Sequence, residues 1–200
     1  MPNSCCSVCR HPKNKPFPKF SAKIVFLYYF VRFLRGKCLY LQNNQNLISM
    51  EKSLILNYIK AEHIEDLPTA DRELVAEAQK ATELAYAKYS GFKVGAAVRL
   101  RSGKIMRAAN SESEVYPSGL CAERSLLYYV EANHADDPVE ALAIASNPSE
   151  RECYPCGGCR QVILDVERRQ GSPIRVIMSG NGSASIVESA QLLLPFTFQL

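Results

Sequence analysis

The first 49 residues of this 200-residue chain contain no aspartate or glutamate, yet they hold Arg10, Lys13, Lys15, Lys19, Lys23, Arg32, Arg35 and Lys37, a charge of +8. Residues 50–200 carry the other 16 basic residues and all 20 acidic ones, a net charge of −4. The overall +4 therefore belongs to the N-terminal segment, and the remainder offers no basic nucleic-acid footprint. Long hydrophobic runs are missing too. The most apolar stretch, Ile24–Leu34, has 11 residues, against the roughly 20 that a membrane span needs. It has the basic flank and apolar length of a signal-peptide core, but no small-residue cleavage site follows, since Arg35-Gly36-Lys37-Cys38 comes next. Internal repeats and low-complexity tracts are absent.

What remains is a chain with 47% apolar residues, enough for one domain with a real core plus an extra segment. The expected division is a basic N-terminal extension over 1–49, dispensable for catalysis, and a catalytic domain over 50–200. Met50 opens an ordinary acidic sequence, so one form of this expectation has 1–49 joined to the domain by a mistaken start. Cys6 and Cys9 have no second ligand pair at a suitable distance for a zinc knuckle.

The domain's periodicities alternate between helix and strand. Leu74, Val75, Ala78, Ala81, Leu84 and Ala85 fall on one face of a helix from Asp71 to Tyr89, with Thr69 and Asp71 as caps. Val94–Leu100 and Ile105–Ala109 flank a turn and predict a β-hairpin. A helix follows from about Cys121 to Asn133, then a buried strand over Ala141–Ser146 and a helix closing near Gln170-Gly171. A strand over Ile174–Met178 and a last helix over Ile186–Leu194 complete the order. This order predicts an α/β fold, a three-layer α-β-α sandwich on a mixed sheet of about five strands. Both helices that follow a strand enter from the same sheet edge.

That edge collects the cysteines of the domain. Cys121-Ala122-Glu123-Arg124 begins one helix and Pro155-Cys156-Gly157-Gly158-Cys159 begins the next. Three thiolates make a catalytic zinc set with a fourth position left for water. Helix N-termini favour the thiolate charge. A secreted disulfide framework would be a shorter, cysteine-denser chain, so a reducing cytoplasm is the expected setting. Read alone, the cysteines also fit a closed structural site with Cys153 as fourth ligand, or three buried thiols, and Glu123 fits a helix-start carboxylate.

Ligand-x-Glu followed by Pro-Cys-x-x-Cys is the zinc-deaminase pattern, and the chain resembles the zinc-dependent cytidine deaminase family, three-cysteine homotetrameric type. The resemblance covers roughly 68–198. It implies one zinc ion per subunit on Cys121, Cys156 and Cys159, and Glu123 as the residue that exchanges protons with the attacking water. Arg124 is placed to hydrogen-bond the ligand sulfurs. Asn110-Ser111-Glu112 stands where the family grips ribose hydroxyls, and Tyr89-Ser90-Gly91-Phe92 is similar to an early motif whose Phe packs near the pyrimidine. Ala122 and Tyr116 complete the implied nucleoside pocket. Leu193-Leu194-Pro195-Phe196-Thr197-Phe198 is similar to a terminal motif whose last Phe, here Phe198, reaches a neighbouring subunit's site.

The implied activity is hydrolytic deamination of cytidine or deoxycytidine in pyrimidine salvage, with no nucleic-acid partner and no membrane contact for 50–200. Two departures stand out. Tyr154 replaces a small hydroxyl residue before Pro-Cys, and Glu114 makes the loop after Glu112 more acidic. The alternatives are a deaminase of an aminonucleoside antibiotic such as blasticidin S, and a non-catalytic zinc-stabilised interaction module.

Overall fold

A computed structural model describes residues 52–198, and the fold is that of the unit Ile55–Leu200. The Cys6/Cys9 pair, the Ile24–Leu34 run and the extension over 1–49 lie outside the described residues. Six strands form one sheet: β1 (Ile59–Ala61), β2 (Lys93–Leu100), β3 (Ile105–Ala109), β4 (Val139–Asn147), β5 (Arg175–Gly180) and β6 (Ser183–Val187). Their spatial order is β1-β6-β5-β4-β2-β3. Three α-helices cover it: α1 (Thr69–Ala81), α2 (Ala122–Asn133) and α3 (Gly157–Gln170).

Alternation along the central strands sorts the side chains into two cores. On β4, Ala141, Ala143 and Ala145 face one way, together with Ala97, Ile177 and Ile186, and α1 covers them with Leu74, Val75 and Ala78. Leu142 and Ile144 face the other way with Val98, Leu100, Val176 and Met178, under Leu126, Leu127 and Val130 of α2 and Ile163, Leu164 and Val166 of α3. The alanine-rich face takes one helix and the larger face takes two. A fully buried Leu or Ile on these faces contributes roughly 1.5–3 kcal/mol.

The three-layer sandwich is thus as expected, but its sheet has six strands rather than about five. The last helix expected over Ile186–Leu194 is instead strand β6 followed by a 3₁₀ turn over Ala190–Leu193. A tight hairpin decides this. Asn181 and Gly182 both adopt positive φ, 51° and 76°, and Gly180 pairs with Ser183 across the turn. Asn-Gly between two apolar runs is a strong hairpin signal, because both residues tolerate the left-handed conformation that a type I′ turn needs. Strand β1 pairs with β6, and its three residues are too few to show an alternation.

Helix α1 is also shorter than its apolar pattern. It ends at Ala81, where the Thr82 hydroxyl donates back to the Gln79 carbonyl at 2.8 Å, and a 3₁₀ turn over Thr82–Leu84 follows. Tyr86 then donates its N–H to the Asn110 carbonyl at 3.0 Å. The N-cap is Pro68, with no side-chain cap bond from Thr69 or Asp71. Asp71 is buried and accepts from Arg175 Nε at 3.0 Å instead.

Strands β3 and β4 both run antiparallel to β2, so the two point the same way, and β5 is parallel to β4. The connections leaving β3 and β4 therefore emerge at one edge of the sheet. Helices α2 and α3 start there, as expected from the sequence.

Candidate active site

Cys121 is the N-cap residue of α2 and Cys156 that of α3, and neither side chain makes a cap hydrogen bond. Their sulfurs are left available at two helix starts. Cys121 Sγ lies 3.9 Å from Cys156 Sγ, and Cys156 Sγ lies 3.4 Å from Cys159 Sγ in the first turn of α3. All three sulfurs fall within 4.8 Å of one another. Zn–S bonds of about 2.3 Å in a tetrahedron place sulfurs roughly 3.8 Å apart, so the cluster has the spacing of a metal set. Cys159 is fully buried and Cys156 is exposed, which leaves one side of the cluster open.

The cluster favours thiolate at Cys121, while the Cys159 thiol that donates to it is pushed well above the usual range. The Cys121 thiol is drawn down to about 5 by hydrogen bonding from Cys159, then by Arg124, whose Nη2 donates to Cys121 Sγ at 3.6 Å. Cys153 shows the opposite: burial pushes its thiol up to about 11. It lines the same cavity, but it lies outside the three-sulfur cluster.

Glu123 is the second residue of α2, in its first turn, only 3% exposed, and burial raises its carboxyl to about 7. Among the described residues, the buried side-chain polar atoms without a hydrogen-bond partner are Glu123 Oε2 and Arg124 Nε. A buried carboxylate oxygen without a partner is costly, and this one sits beside a cluster of metal-binding sulfurs. Three soft sulfur donors with an unpartnered proton acceptor alongside fit a catalytic zinc ion better than a closed four-ligand site.

Cys121, Cys156 and Glu123 open on a cavity of about 820 Å³. Phe92, Asn110, Glu112 and Tyr116 line it, as do Cys121, Cys156, Glu123 and Arg124. Asn110 and Glu112 flank Ser111, which bridges Tyr86 on one side and Leu120 on the other. Both side chains are already engaged by the start of β2 and the segment before it. Asn110 Oδ1 accepts from Val94 N at 2.7 Å and its Nδ2 donates to the Phe92 carbonyl at 3.0 Å. Glu112 accepts from the Ser90 hydroxyl and from Tyr89 N at 2.7 Å, and these bonds hold its carboxyl below the usual range.

Two of the expected substrate residues are not in this cavity's lining, and for Phe198 the expectation concerns a neighbouring subunit's site. Ala122 is fully buried in the core at the first position of α2, and the cavity lining does not include its side chain. Phe198 is 71% exposed near the C-terminus, away from this lining, and its carbonyl accepts from Arg168 Nη1 at 3.2 Å. Three residues at or beside the site have roles that the sequence pattern does not assign. Ser90 holds Glu112; Cys153 is part of the wall; Arg160 ties Pro155 to the C-terminal turn through the Pro155 carbonyl at 2.9 Å and the Leu193 carbonyl at 3.2 Å.

A sequence model described as the cytidine and deoxycytidylate deaminase zinc-binding region matches residues 68–170, from the start of α1 to the end of α3. The chain belongs to this family. Among curated relatives, the cytidine deaminase of Halalkalibacterium halodurans is 40% identical over 97 residues, 48% of this chain and 72% of the relative. That of Sporosarcina psychrophila is 39% identical over 93 residues, 46% and 67% of the two chains. The crystal structure of cytidine deaminase from Burkholderia pseudomallei is similar at a TM-score of 0.56 and 35% identity, covering 63% of this chain and 97% of that one. The Mycobacterium tuberculosis enzyme gives 0.52 at 29% identity, covering 64% and 96%. Membership in this deaminase family makes zinc the cofactor, and the three-sulfur cluster is where the matched region offers ligands for it.

Proposed function

We propose that the chain releases ammonia from cytidine or deoxycytidine by hydrolysis, giving the corresponding uridine. The observation that carries this is the buried Glu123 carboxyl, one oxygen of which has no partner, beside the three thiols on a cavity large enough for a nucleoside. Cys121, Cys156 and Cys159 would hold the metal. Zinc, when bound, makes a water acidic enough to attack at neutral pH. Glu123 accepts a proton from that water as its oxygen adds to the ring carbon bearing the exocyclic amine. The same carboxyl passes that proton to the adjacent ring nitrogen, then takes the remaining proton of the added hydroxyl and gives it to the amine, so that the carbonyl forms as the carbon–nitrogen bond breaks with loss of ammonia. Arg124 keeps the Cys121 sulfur anionic by donating to it.

Asn110, Glu112, Phe92 and Tyr116 bind the nucleoside in this reading. Phe92 and Tyr116 are exposed aromatics on the cavity wall, suited to the faces of a base or a sugar. Glu112 keeps acceptor capacity for a hydroxyl beyond its present bonds. Ala122 offers only its backbone. Phe198, together with Phe196 at 97% exposure, supplies an apolar terminus that fits a neighbouring subunit, so the working form is a homotetramer with shared sites. Among the described residues no helix is long and apolar enough to cross a membrane, and we place the enzyme in the cytoplasm. Residues 1–49 add nothing to the chemistry in this reading, and a chain starting at Met50 retains full turnover.

The antibiotic deaminase and the inert zinc module are not favoured, since the relatives above are named cytidine deaminases. Ammonia release from cytidine, with zinc quantified per subunit and mass measured in solution, tests the proposal. Turnover with one zinc per chain supports it. A zinc-loaded tetramer without turnover overturns it.

A further inference from the structure

The loop that leads into Cys156 carries a group that the deamination chemistry does not use. Glu152 is 7% exposed and stands outside the cavity lining. Its Oε1 accepts from Lys60 of β1 and from the Ser183 hydroxyl of β6 at 2.7 Å. Its Oε2 accepts from the Ser185 hydroxyl at 2.7 Å and from the Tyr154 hydroxyl at 2.7 Å. Three of these donors come from the two strands at one edge of the sheet. The fourth, Tyr154, puts its ring on the cavity wall beside Cys153 and Cys156.

The backbone around Glu152 is pinned as firmly. Cys153 N donates to the Ser179 carbonyl at 3.1 Å. At Gly180 any Cβ would come within 2.0 Å of the Arg151 carbonyl oxygen, so the chain passes directly over the end of β5. Tyr154 itself is 54% exposed. A half-exposed ring on a loop has freedom about two side-chain torsions unless something holds its far end. The bond from its hydroxyl to Glu152 does this, and the edge strands hold Glu152. The reacting ring of a nucleoside must approach Cys121, Cys156 and Glu123, so a wall two residues before Cys156 bounds the base rather than the sugar.

We propose that Glu152 is a positioning residue for nucleoside recognition: it anchors the Tyr154 hydroxyl so that the phenol ring stands as a fixed wall where the pyrimidine docks. This rests on the deaminase reading above. The test uses the full, zinc-loaded chain and the variants Tyr154→Phe, Glu152→Gln and their combination. Steady-state deamination of cytidine is measured alongside the Kd for uridine by calorimetry, with zinc counted per subunit.

Each single change raises KM and the uridine Kd about fivefold while kcat stays within about twofold and zinc is retained. The double variant is no worse for KM and the uridine Kd than either single, because all three disturb the same Tyr154–Glu152 bond. An active wild type whose KM and uridine Kd are unmoved by Tyr154→Phe overturns the inference and leaves the deaminase reading standing. Additive losses in the double variant overturn it as well. A wild type without turnover overturns the deaminase reading, and this inference with it. Should Glu152→Gln fail to fold, Tyr154→Phe alone decides.

Discussion

Two buried carboxylates, only 29 positions apart in the chain, have opposite fates. Glu123, beside the sulfur cluster, is 3% exposed, has an oxygen without a partner, and its carboxyl is pushed up to about 7 by burial. Glu152, beneath the edge strands, is 7% exposed; burial pushes its carboxyl up as well, but bonds from Lys60, Tyr154, Ser183 and Ser185 outweigh that and hold it down to about 2. Burial is the leading influence on the carboxyl in both places, and in both it acts to raise it. The donors around each group decide whether it remains a fixed anion or stays ready to take a proton. The region near Glu123 is built for proton exchange and the region near Glu152 for rigidity, so perturbing each should damage a different property.

The largest effect separates the metal from both carboxylates. Stripping zinc with a chelator should abolish ammonia release, and added zinc should restore it; turnover that survives in metal-free protein would remove the sulfur cluster from the chemistry. Next comes Glu123→Gln, which should lower kcat by about 10²- to 10⁴-fold with zinc retained and without lowering Tm. A marked fall in Tm would mean that Glu123 is structural after all.

The converse change, Glu152→Ala, should lower stability by about 1–3 kcal/mol through the donors it leaves unpaired, read by urea denaturation, while kcat changes by no more than about twofold. The smallest effect is a pH dependence. Glu152 has its folded value near 2, below the roughly 4.3 of an unfolded glutamate. Its contribution is therefore present in full above about pH 5 and is lost as pH falls through 4 towards 2. The Tm difference between wild type and Glu152→Gln should narrow over that window, and a constant difference would show that the carboxylate's charge is not what stabilises.

The same contrast explains what could be read from the sequence. Cys121, Glu123, Cys156 and Cys159 lie in two short motifs at helix starts, so their spacing was enough to bring them together. The central strands showed as apolar runs because both faces of β4 are covered. The Glu152 knot was invisible, since its partners at 60, 183 and 185 come from strands that pattern reading missed or took for a helix. Asn181-Gly182 was the local signal for β6, overridden by the apolar spacing of Ile186–Leu194. Asn110 and Glu112 were placed on the cavity by resemblance, but their bonds to Val94, Phe92, Tyr89 and Ser90 depend on how a loop folds back, which no spacing encodes.

Cys121 and Cys156 give the two helix starts another meaning. An N-cap side chain ordinarily closes the first turn by accepting from its free N–H groups, and here that position is given to sulfur, which forms no such bond. Each helix therefore begins with its end unsealed, and an ion held on the sulfurs would fasten both at once. A zinc ion bound there would also serve as a clasp, joining two segments 35 residues apart whose own sequences leave them open.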